Sequence, residues 1–359
     1  MQPREHWSTR LSFVMAAVGS AVGLGNLWRF PATCAANGGG AFLLPYFIAL
    51  ASVGIPLLIL EFSLGHRMQH AAPAAIERIR PTFSWVGWWA VLMGFIIVSF
   101  YTVVMAWCLE YVVYSFFPEA LELWRTDAAG FFEDKVLTID KELQGGAGEM
   151  VWPLVGCLAI CWGIIFLLIF KGVKQVGKVV LVTVPLPIVL VVVLFIRGIT
   201  LPNALEGLQT YLQPDFELLK EPSVWLAAYG QIFFTLSLGF GVMVAYASYL
   251  DRETDITNNA FLTGLINCGF SFFTGFAVFS VLGFLATIPG NEKALEQAGG
   301  GLAFIAYPTA LARLPGAHVF SVLFFITLLT LGIDSAFSIV EAITASLMEK
   351  FNLSRYLAL

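Results

Sequence analysis

The chain has 359 residues, of which 58% are hydrophobic and only 12% charged, and its mean hydropathy is +0.83. One soluble core cannot hide so much apolar surface, so the composition predicts a protein that crosses a membrane several times. The net charge is -5, and the sequence has no basic stripe that could neutralise phosphates. We therefore expect no nucleic-acid partner.

Eight apolar runs along the chain are long enough to cross a bilayer as helices. Basic residues follow the second, fourth and eighth runs, so the positive-inside rule places those ends and the N-terminus in the cytoplasm. The acidic connection at 118–149 is then extracellular, and we assign it no chemistry. The runs lie near residues 10–35, 41–65, 84–117, 151–170, 177–197, 224–250, 257–288 and 317–348.

The first run contains three closely spaced glycines, Gly19, Gly23 and Gly25, followed by Asn26 and Arg29. A glycine inside a helix costs about 1 kcal/mol relative to alanine. A backbone carbonyl freed by a helix break in hydrocarbon needs a partner, such as a cation. The spacing therefore indicates either a broken helix with exposed backbone or glycines that only let another helix approach closely.

The sixth run repeats this pattern in the middle of a span, where Gln231, Thr235 and Ser237 precede Gly239 and Gly241. Two glycine-interrupted helices five spans apart are typical of an inverted repeat of five helices. Such a pair is the best sequence indication of a transporter site. The positive ends of the half-helices would then point at an anionic group of the substrate.

Further polar residues lie at the same membrane depth, namely Asn267, Ser271, Asp334 and Ser335. A charged aspartate in mid-membrane costs at least about 2.5 kcal/mol and needs a partner. No basic residue is close in sequence, so a bound cation is the simpler partner, the alternative being a protonated Asp334 hydrogen-bonded in the bundle. Oxygen ligands without histidine or cysteine favour sodium over a transition metal.

The five cysteines all lie in apolar runs, and we predict no disulfide among them. Cys157 and Cys161 have helical spacing but no histidine or carboxylate nearby, so we interpret them as buried small side chains. Between the seventh and eighth runs, residues 302–308 form a short apolar piece. We predict that it is a lid over an outer vestibule; the alternative is a loop on the lipid interface.

Several motifs together resemble the neurotransmitter:sodium symporter family, of the bacterial leucine-transporter type. The resemblance implies an all-α polytopic fold with two inverted halves of five helices and with helices 1 and 6 broken. Residues 1–200 would be the first repeat, and residues 201–359 an incomplete second repeat that stops after helix 8. We interpret the sequence as a fragment whose remaining helices are absent, although a partner could supply them or the product could be defective. The motifs are Trp7–Arg10, Gly19–Pro31, Asn37–Phe42, Gly54–Pro56, Gln231–Gly241 and Tyr246–Tyr249.

The resemblance also implies two sodium sites, an amino-acid site and two gates. The first sodium site would consist of the substrate carboxylate with Ala21, Asn26, Thr235 and Asn267. The second would consist of Gly19, Val22, Leu331, Asp334 and Ser335. The outer gate would include Arg29, Tyr101 and Phe234, and the inner gate Arg4 and Glu349, with help from Tyr249. The substrate would be bound by Ser20, Ala21, Gly23, Leu24, Gly25, Ile97, Tyr101, Phe234, Thr235, Ser237, Phe240, Ser335 and Ile339.

A charge count suggests a chloride site beside the first sodium. Two sodium ions bring two positive charges, of which Asp334 and a zwitterionic substrate cancel one. Chloride-independent bacterial relatives tend to have an acid where this chain has Ser271. The serine resembles the chloride-dependent members, and with Tyr46, Gln231 and Thr235 it would form a chloride site. The alternative is that these four groups form hydrogen bonds with one another or with water.

The predicted function is sodium-coupled symport of neutral, apolar L-amino acids. Gly23 stands where monoamine carriers have an acid, and Ile97, Phe240 and Ile339 suggest an aliphatic pocket. The outer loop lacks the cysteine pair and glycosylation acceptor of animal members, which favours a bacterial inner membrane. The alternatives are an ion channel, which needs a continuous pore, a non-transporting fragment, and a membrane enzyme. An enzyme is disfavoured because none of the four histidines, His6, His66, His70 and His318, shares the depth of Asp334.

Overall fold

The computed structural model describes residues 6–139, 150–289 and 301–359. The regular structure in these residues is helical, apart from one isolated bridge between Gly39 and Pro214. Each of the eight predicted apolar runs is helical, which confirms the all-α polytopic fold class. The division into two inverted repeats stays a prediction.

Six continuous helices are long and apolar enough to cross a membrane, and a seventh span is a bent pair. The bent pair consists of α1 (Arg10–Ala21) and α2 (Gly25–Ala36), which meet at 51°. The sixth predicted run is also broken, into α10 (Pro222–Thr235) and α11 (Val242–Ala247). The continuous spans are α3 (Gly40–Met68), α5 (Ser84–Tyr114), α7 (Trp152–Ile169), α8 (Val173–Ile199), α12 (Ile256–Leu285) and α14 (Ala317–Phe351).

Shorter helices connect the spans. On the predicted inner side, α4 (Ala72–Ile79) joins α3 to α5 and α15 (Arg355–Ala358) follows α14. On the predicted outer side lie α6 (Pro118–Phe131), α9 (Ala204–Leu212) and α13 (Leu302–Leu311).

The break between α1 and α2 shows that both interpretations of its glycines apply. Val22 leaves the helix in an extended conformation (φ -79°, ψ 100°), and α2 resumes with a π-helical turn at Gly25–Arg29. A Cβ at Gly23 would lie 2.5 Å from Ser335 Oγ, and one at Gly25 would lie 2.8 Å from Phe234. The glycines therefore lie at the break and also let its backbone approach α10 and α14 closely.

The second break uses left-handed backbone, with positive φ at Ser237 (53°), Gly239 (81°) and Gly241 (74°). Glycine adopts this conformation without strain, whereas Ser237 does not. A side chain of α3 satisfies the unwound backbone, because Glu61 Oε1 accepts a hydrogen bond of 2.7 Å from Gly239 N–H.

Burial places the broken helices and two continuous ones at the centre of the bundle. In the most apolar window of α12, 72% of residues are buried, and in that of α14, 67%, against 17% for α7. Because α7 exposes most of its surface, it lies at the lipid-facing periphery. The core that α12 and α14 form with both breaks is where the predicted site residues lie.

Candidate functional site

The centre of the site is Asn26, whose side chain is fully enclosed just after the first break. Its Nδ2 lies 2.9 Å from Asn267 Oδ1 and 3.2 Å from Thr235 Oγ1, and its Oδ1 accepts from Gly23 N–H at 2.8 Å. Three of the four predicted ligands of the first sodium site are thus in mutual hydrogen-bond contact. The fourth, Ala21, is the last residue of α1, where helix carbonyls lack an intrahelical partner.

The predicted second sodium site lies where α14 faces the end of α1. Asp334 is 2% exposed, and its Oδ2 would lie 3.2 Å from a Cβ at Gly19. Ser335 Oγ donates to the Ser20 carbonyl at 3.2 Å. Of the other two predicted ligands, Val22 directly follows the last residue of α1, and Leu331 lies one turn before Asp334 on α14.

Asp334 has no basic partner within the described residues. Its single described hydrogen bond comes from Thr183 Oγ1 of α8, which donates to Oδ1 at 2.7 Å. A buried carboxylate with one hydroxyl donor is undercompensated. A cation between Asp334 and the freed carbonyls of α1 would supply the missing charge.

The predicted substrate-binding residues come from four membrane spans, two of which are the broken ones. Tyr101 Oη on α5 accepts from Leu24 N–H at 3.2 Å and would lie 3.0 Å from a Cβ at Gly23. Ser237 Oγ donates to the Ser20 carbonyl at 3.1 Å, which joins the two breaks directly. Tyr101, Leu24 and Ser20 thus surround unwound backbone that an amino-acid carboxylate could reach.

The apolar part of the pocket lies between α5 and α14. A Cβ at Gly94 would be 3.2 Å from Ile339 Cγ2 and 3.8 Å from the Phe240 carbonyl. Ile97 lies one turn along α5 from Gly94 and packs against the buried core with Phe240. Gly94 thus brings Ile339 and Phe240 close together, and Ile97 lies one helical turn away on the same helix as Gly94.

The outer side of the site is covered by an arginine and an aromatic ring. The guanidinium of Arg29 lies 4.5 Å from the centroid of the Phe234 ring. Arg29 Nη1 also donates a hydrogen bond to Gln231 Oε1. Phe234 also contacts Gly25 of the first break. The predicted outer-gate residues Arg29 and Phe234 therefore form one unit that Gln231 holds in place.

Above this unit, α13 is buried inside the protein. Phe304 is completely enclosed, its carbonyl accepts from Tyr111 Oη at 2.9 Å, and its ring lies 6.0 Å from that of Trp28. A loop on the lipid interface would be exposed. The burial agrees instead with the predicted lid.

The predicted chloride residues include one buried donor that lacks a partner. Gln231 Nε2 forms no hydrogen bond within the described residues, whereas Tyr46 Oη interacts with the side chains of Ser271 and Cys268. Ser271 Oγ is 2.8 Å from Asn26 Nδ2, and Thr235 contacts Asn267. Because buried polar groups are normally paired, the free Nε2 of Gln231 is a donor that an anion beside the predicted first sodium site could use.

On the inner side, Arg4 lies outside the described residues, so its predicted pairing with Glu349 stays a prediction. Glu349 contacts the start of α4. Its Oε2 accepts from Ala71 N–H at 3.0 Å and lies 3.1 Å from His70 Nδ1.

Comparison with known proteins identifies the class of protein. The Sodium:neurotransmitter symporter family matches residues 4–125 and 120–357. The chain belongs to this family. With its several apolar helices, it is therefore a multi-pass membrane protein. The family resemblance predicted from the motifs is thereby confirmed.

Several members of the family are similar over almost the whole chain. An uncharacterized sodium-dependent transporter of Methanocaldococcus jannaschii is 46% identical over 99% of this chain and 72% of its own length. The sodium- and chloride-dependent creatine transporter 1 of Bos taurus is 39% identical over 99% of this chain and 61% of its own length. The chain therefore spans less than two thirds of its animal relatives.

A solved structure shares the fold. The crystal structure of MhsT in complex with L-phenylalanine matches with a TM-score of 0.84 and 33% identity, over 99% of this chain and 77% of MhsT. This match supports the family fold with its broken helices.

Sequence reasoning missed four polar residues around the predicted site. Thr183 stood inside an apolar run and gave no periodic signal, whereas Glu61 was a visible carboxyl group in the second apolar run that received no role. Glu341 lies two helical turns after Asp334 on the same face of α14, so the sequence did indicate a second inward-facing carboxyl group. It is fully buried, and its two carboxylate oxygens accept hydrogen bonds of 2.6 Å and 2.9 Å from the guanidinium of Arg355. Tyr249 Oη donates a third hydrogen bond to Glu341 Oε1 at 3.0 Å.

Removing Arg355 should destabilise the inner half of the protein. Arg355→Met leaves the Glu341 carboxylate buried and short of its cation, a change that costs about 3–5 kcal/mol in comparable pairs. We expect a marked drop in the unfolding temperature in detergent. The double variant Arg355→Met with Glu341→Gln should recover most of the loss; equal damage in the single and double variants would contradict this role of the pair.

Proposed function

We propose that the chain carries the ion and substrate sites of a sodium-coupled symporter for neutral, apolar L-amino acids. The observation that carries this proposal is the position of Asp334 and Ser335. They face the freed end of α1 across the centre of the bundle, and Asp334 has no basic partner in the described residues. A sodium ion there would join α1 to α14 and favour one arrangement of the two helices over the other.

The proposed coupling between ion and substrate rests on the cluster around Asn26. Its oxygen partners Thr235 and Asn267 would hold a sodium ion with the Ala21 carbonyl and the substrate carboxylate. The substrate is then itself a sodium ligand. Each would bind more tightly in the presence of the other, which is the thermodynamic basis of symport.

The proposed substrate class follows from the space at Gly23 and from the apolar side of the pocket. An acid at position 23 would collide with Ser335 and Tyr101, so no side chain is available there to pair with a substrate amine. Ile97, Phe240 and Ile339 would receive an apolar side chain. The phenylalanine bound to MhsT agrees with this class, whereas relatives that carry creatine, dopamine or taurine make identity alone a poor guide.

We propose chloride as a third ion, bound by Tyr46, Gln231, Thr235 and Ser271. The unpartnered buried donor Gln231 Nε2 supports it, as do relatives described as chloride-dependent. The remaining assignments are the two five-helix repeats, further helices after helix 8, a bacterial plasma-membrane location and a cytoplasmic N-terminus. These rest on the family resemblance and on the distribution of basic residues.

Uptake into proteoliposomes tests the function. The full-length protein should accumulate labelled L-phenylalanine or L-leucine only with an inward sodium gradient, with saturation and a fixed ratio of ions to substrate. Dopamine that competes better than every amino acid tested would refute the substrate class. A sodium current without saturable, stoichiometric uptake would identify a channel.

A further inference from the structure

Three lysines form a cluster at the inner end of α8. Lys171 precedes the helix, and Lys174 and Lys178 lie in its first two turns, all with exposed side chains. They form no ion pair within the described residues. We call these three residues the lysine patch.

The surface beside the lysine patch continues into the membrane as an apolar stripe. Leu181 and Val182 lie on the same side of α8 as Lys174 and Lys178, at helical spacing. Their side chains are 41% and 67% exposed, and Leu167, one turn before Lys171 on α7, is 61% exposed. Because these large apolar groups can only face lipid, the lysine ammonium groups lie at the boundary between hydrocarbon and water.

The charges of the lysine patch are unfavourable without an anion. Lys174 and Lys178 are four residues apart, a spacing at which like charges on a helix repel. Lys171 Nζ lies 5.4 Å from the Phe170 ring centroid, so its ammonium is held at this surface. An anionic group here would neutralise the repulsion and bind three ammonium groups.

We propose that the lysine patch binds the headgroup phosphate of an anionic phospholipid, with an acyl chain along Leu181 and Val182. The apolar stripe is the reason to prefer a lipid to a soluble phosphate, which would have no use for it. This assignment does not depend on the proposed ions or substrate.

A lipid at this position would act on α8, which contacts both α1 and α14. Gly177 packs against Ser12, and Thr183 bonds Asp334 at 2.7 Å, one turn beyond Lys178. Fixing the inner end of α8 therefore stabilises its packing around the predicted second sodium site. The lipid should raise the unfolding temperature of the purified protein.

Lipid titration by native mass spectrometry tests the proposal. The variant with Lys171, Lys174 and Lys178 all changed to glutamine should bind phosphatidylglycerol roughly 100-fold more weakly, since each lysine near an anionic surface contributes about fivefold. The matched control changes Arg67, Arg80 and Arg252 to glutamine, three exposed residues on the same side of the membrane. It should bind like the wild type, and phosphatidylcholine should bind all three proteins equally and weakly.

Two results would overturn the lipid assignment. Equal loss of phosphatidylglycerol in both triple variants would mean that inner charge in general, and not the lysine patch, attracts the lipid. Displacement of the lipid by inorganic phosphate at millimolar concentration would indicate a site for a soluble anion. Thermal unfolding without added lipid serves as the folding control, and the two triple variants should unfold at the same temperature there.

Discussion

Asp334→Asn should abolish sodium-stimulated uptake while leaving the protein folded. Asparagine has the size of aspartate and can still accept the hydroxyl of Thr183 on its amide oxygen, so the packing between α8 and α14 survives. What disappears is the negative charge opposite the freed carbonyls at the end of α1. A buried cation without that charge is strongly disfavoured.

Thr183→Val is the matched control for Asp334→Asn. It removes the hydroxyl that donates to Asp334 but keeps the carboxylate, so the sodium ligand remains with less support. A hydrogen bond to a charged group contributes about 1.5–3 kcal/mol. The sodium affinity should therefore fall roughly 10-fold to 100-fold, while the maximal rate of uptake stays the same. Sodium dependence that survives unchanged in Asp334→Asn would defeat the assignment of the second site.

Replacing chloride with gluconate should stop transport by the wild type and leave transport by Ser271→Glu intact. Ser271 is completely buried and lies 2.8 Å from Asn26 Nδ2, next to the proposed first sodium. A glutamate there would supply a fixed negative charge in place of the ion. The measurement is the uptake rate in gluconate divided by the rate in chloride, determined for each protein on the same vesicle preparation.

Gln231→Leu provides a control for the chloride prediction. It removes the unpartnered Nε2 donor without adding charge, and it also removes the Oε1 acceptor of Arg29, so it should weaken the response to chloride, lower the transport rate and give no activity in gluconate. Full wild-type activity in gluconate would show that no chloride is needed and would remove this site from the account.

The breaks in the helices were predictable because their signals are local. Closely spaced glycines around Gly23 and Gly239 indicate a helix break without any information from distant residues. The structure has non-helical backbone at both places. The same holds for Asp334, since a carboxyl group in a long apolar run is conspicuous in any order of residues.

The partners of these residues could not be predicted, because they lie far away in sequence. Thr183 is 151 residues from Asp334, and Glu61 is 178 from Gly239. The lysines of α8 mark its exposed side, and Thr183 lies away from them. Nothing in the run 177–197, however, identifies Asp334 as the partner of Thr183.

The Glu341–Arg355 pair was missed for a different reason. Charges near the ends of membrane spans are usually solvated, and the sequence gives no reason to pair Glu341 with Arg355. The structure instead encloses the Glu341 carboxylate completely, because α15 folds Arg355 back onto α14.

Equilibrium binding of L-phenylalanine to the purified full-length protein, titrated at several sodium concentrations, tests the central claim most directly. If Asn26, Thr235, Asn267 and the substrate carboxylate share one sodium ion, the amino-acid affinity must rise with sodium. The sodium affinity must rise with the amino acid by the same factor, because coupling between two bound ligands is reciprocal. Asn26→Ala should remove this coupling. An amino-acid affinity that is the same with and without sodium in the wild type would contradict the account.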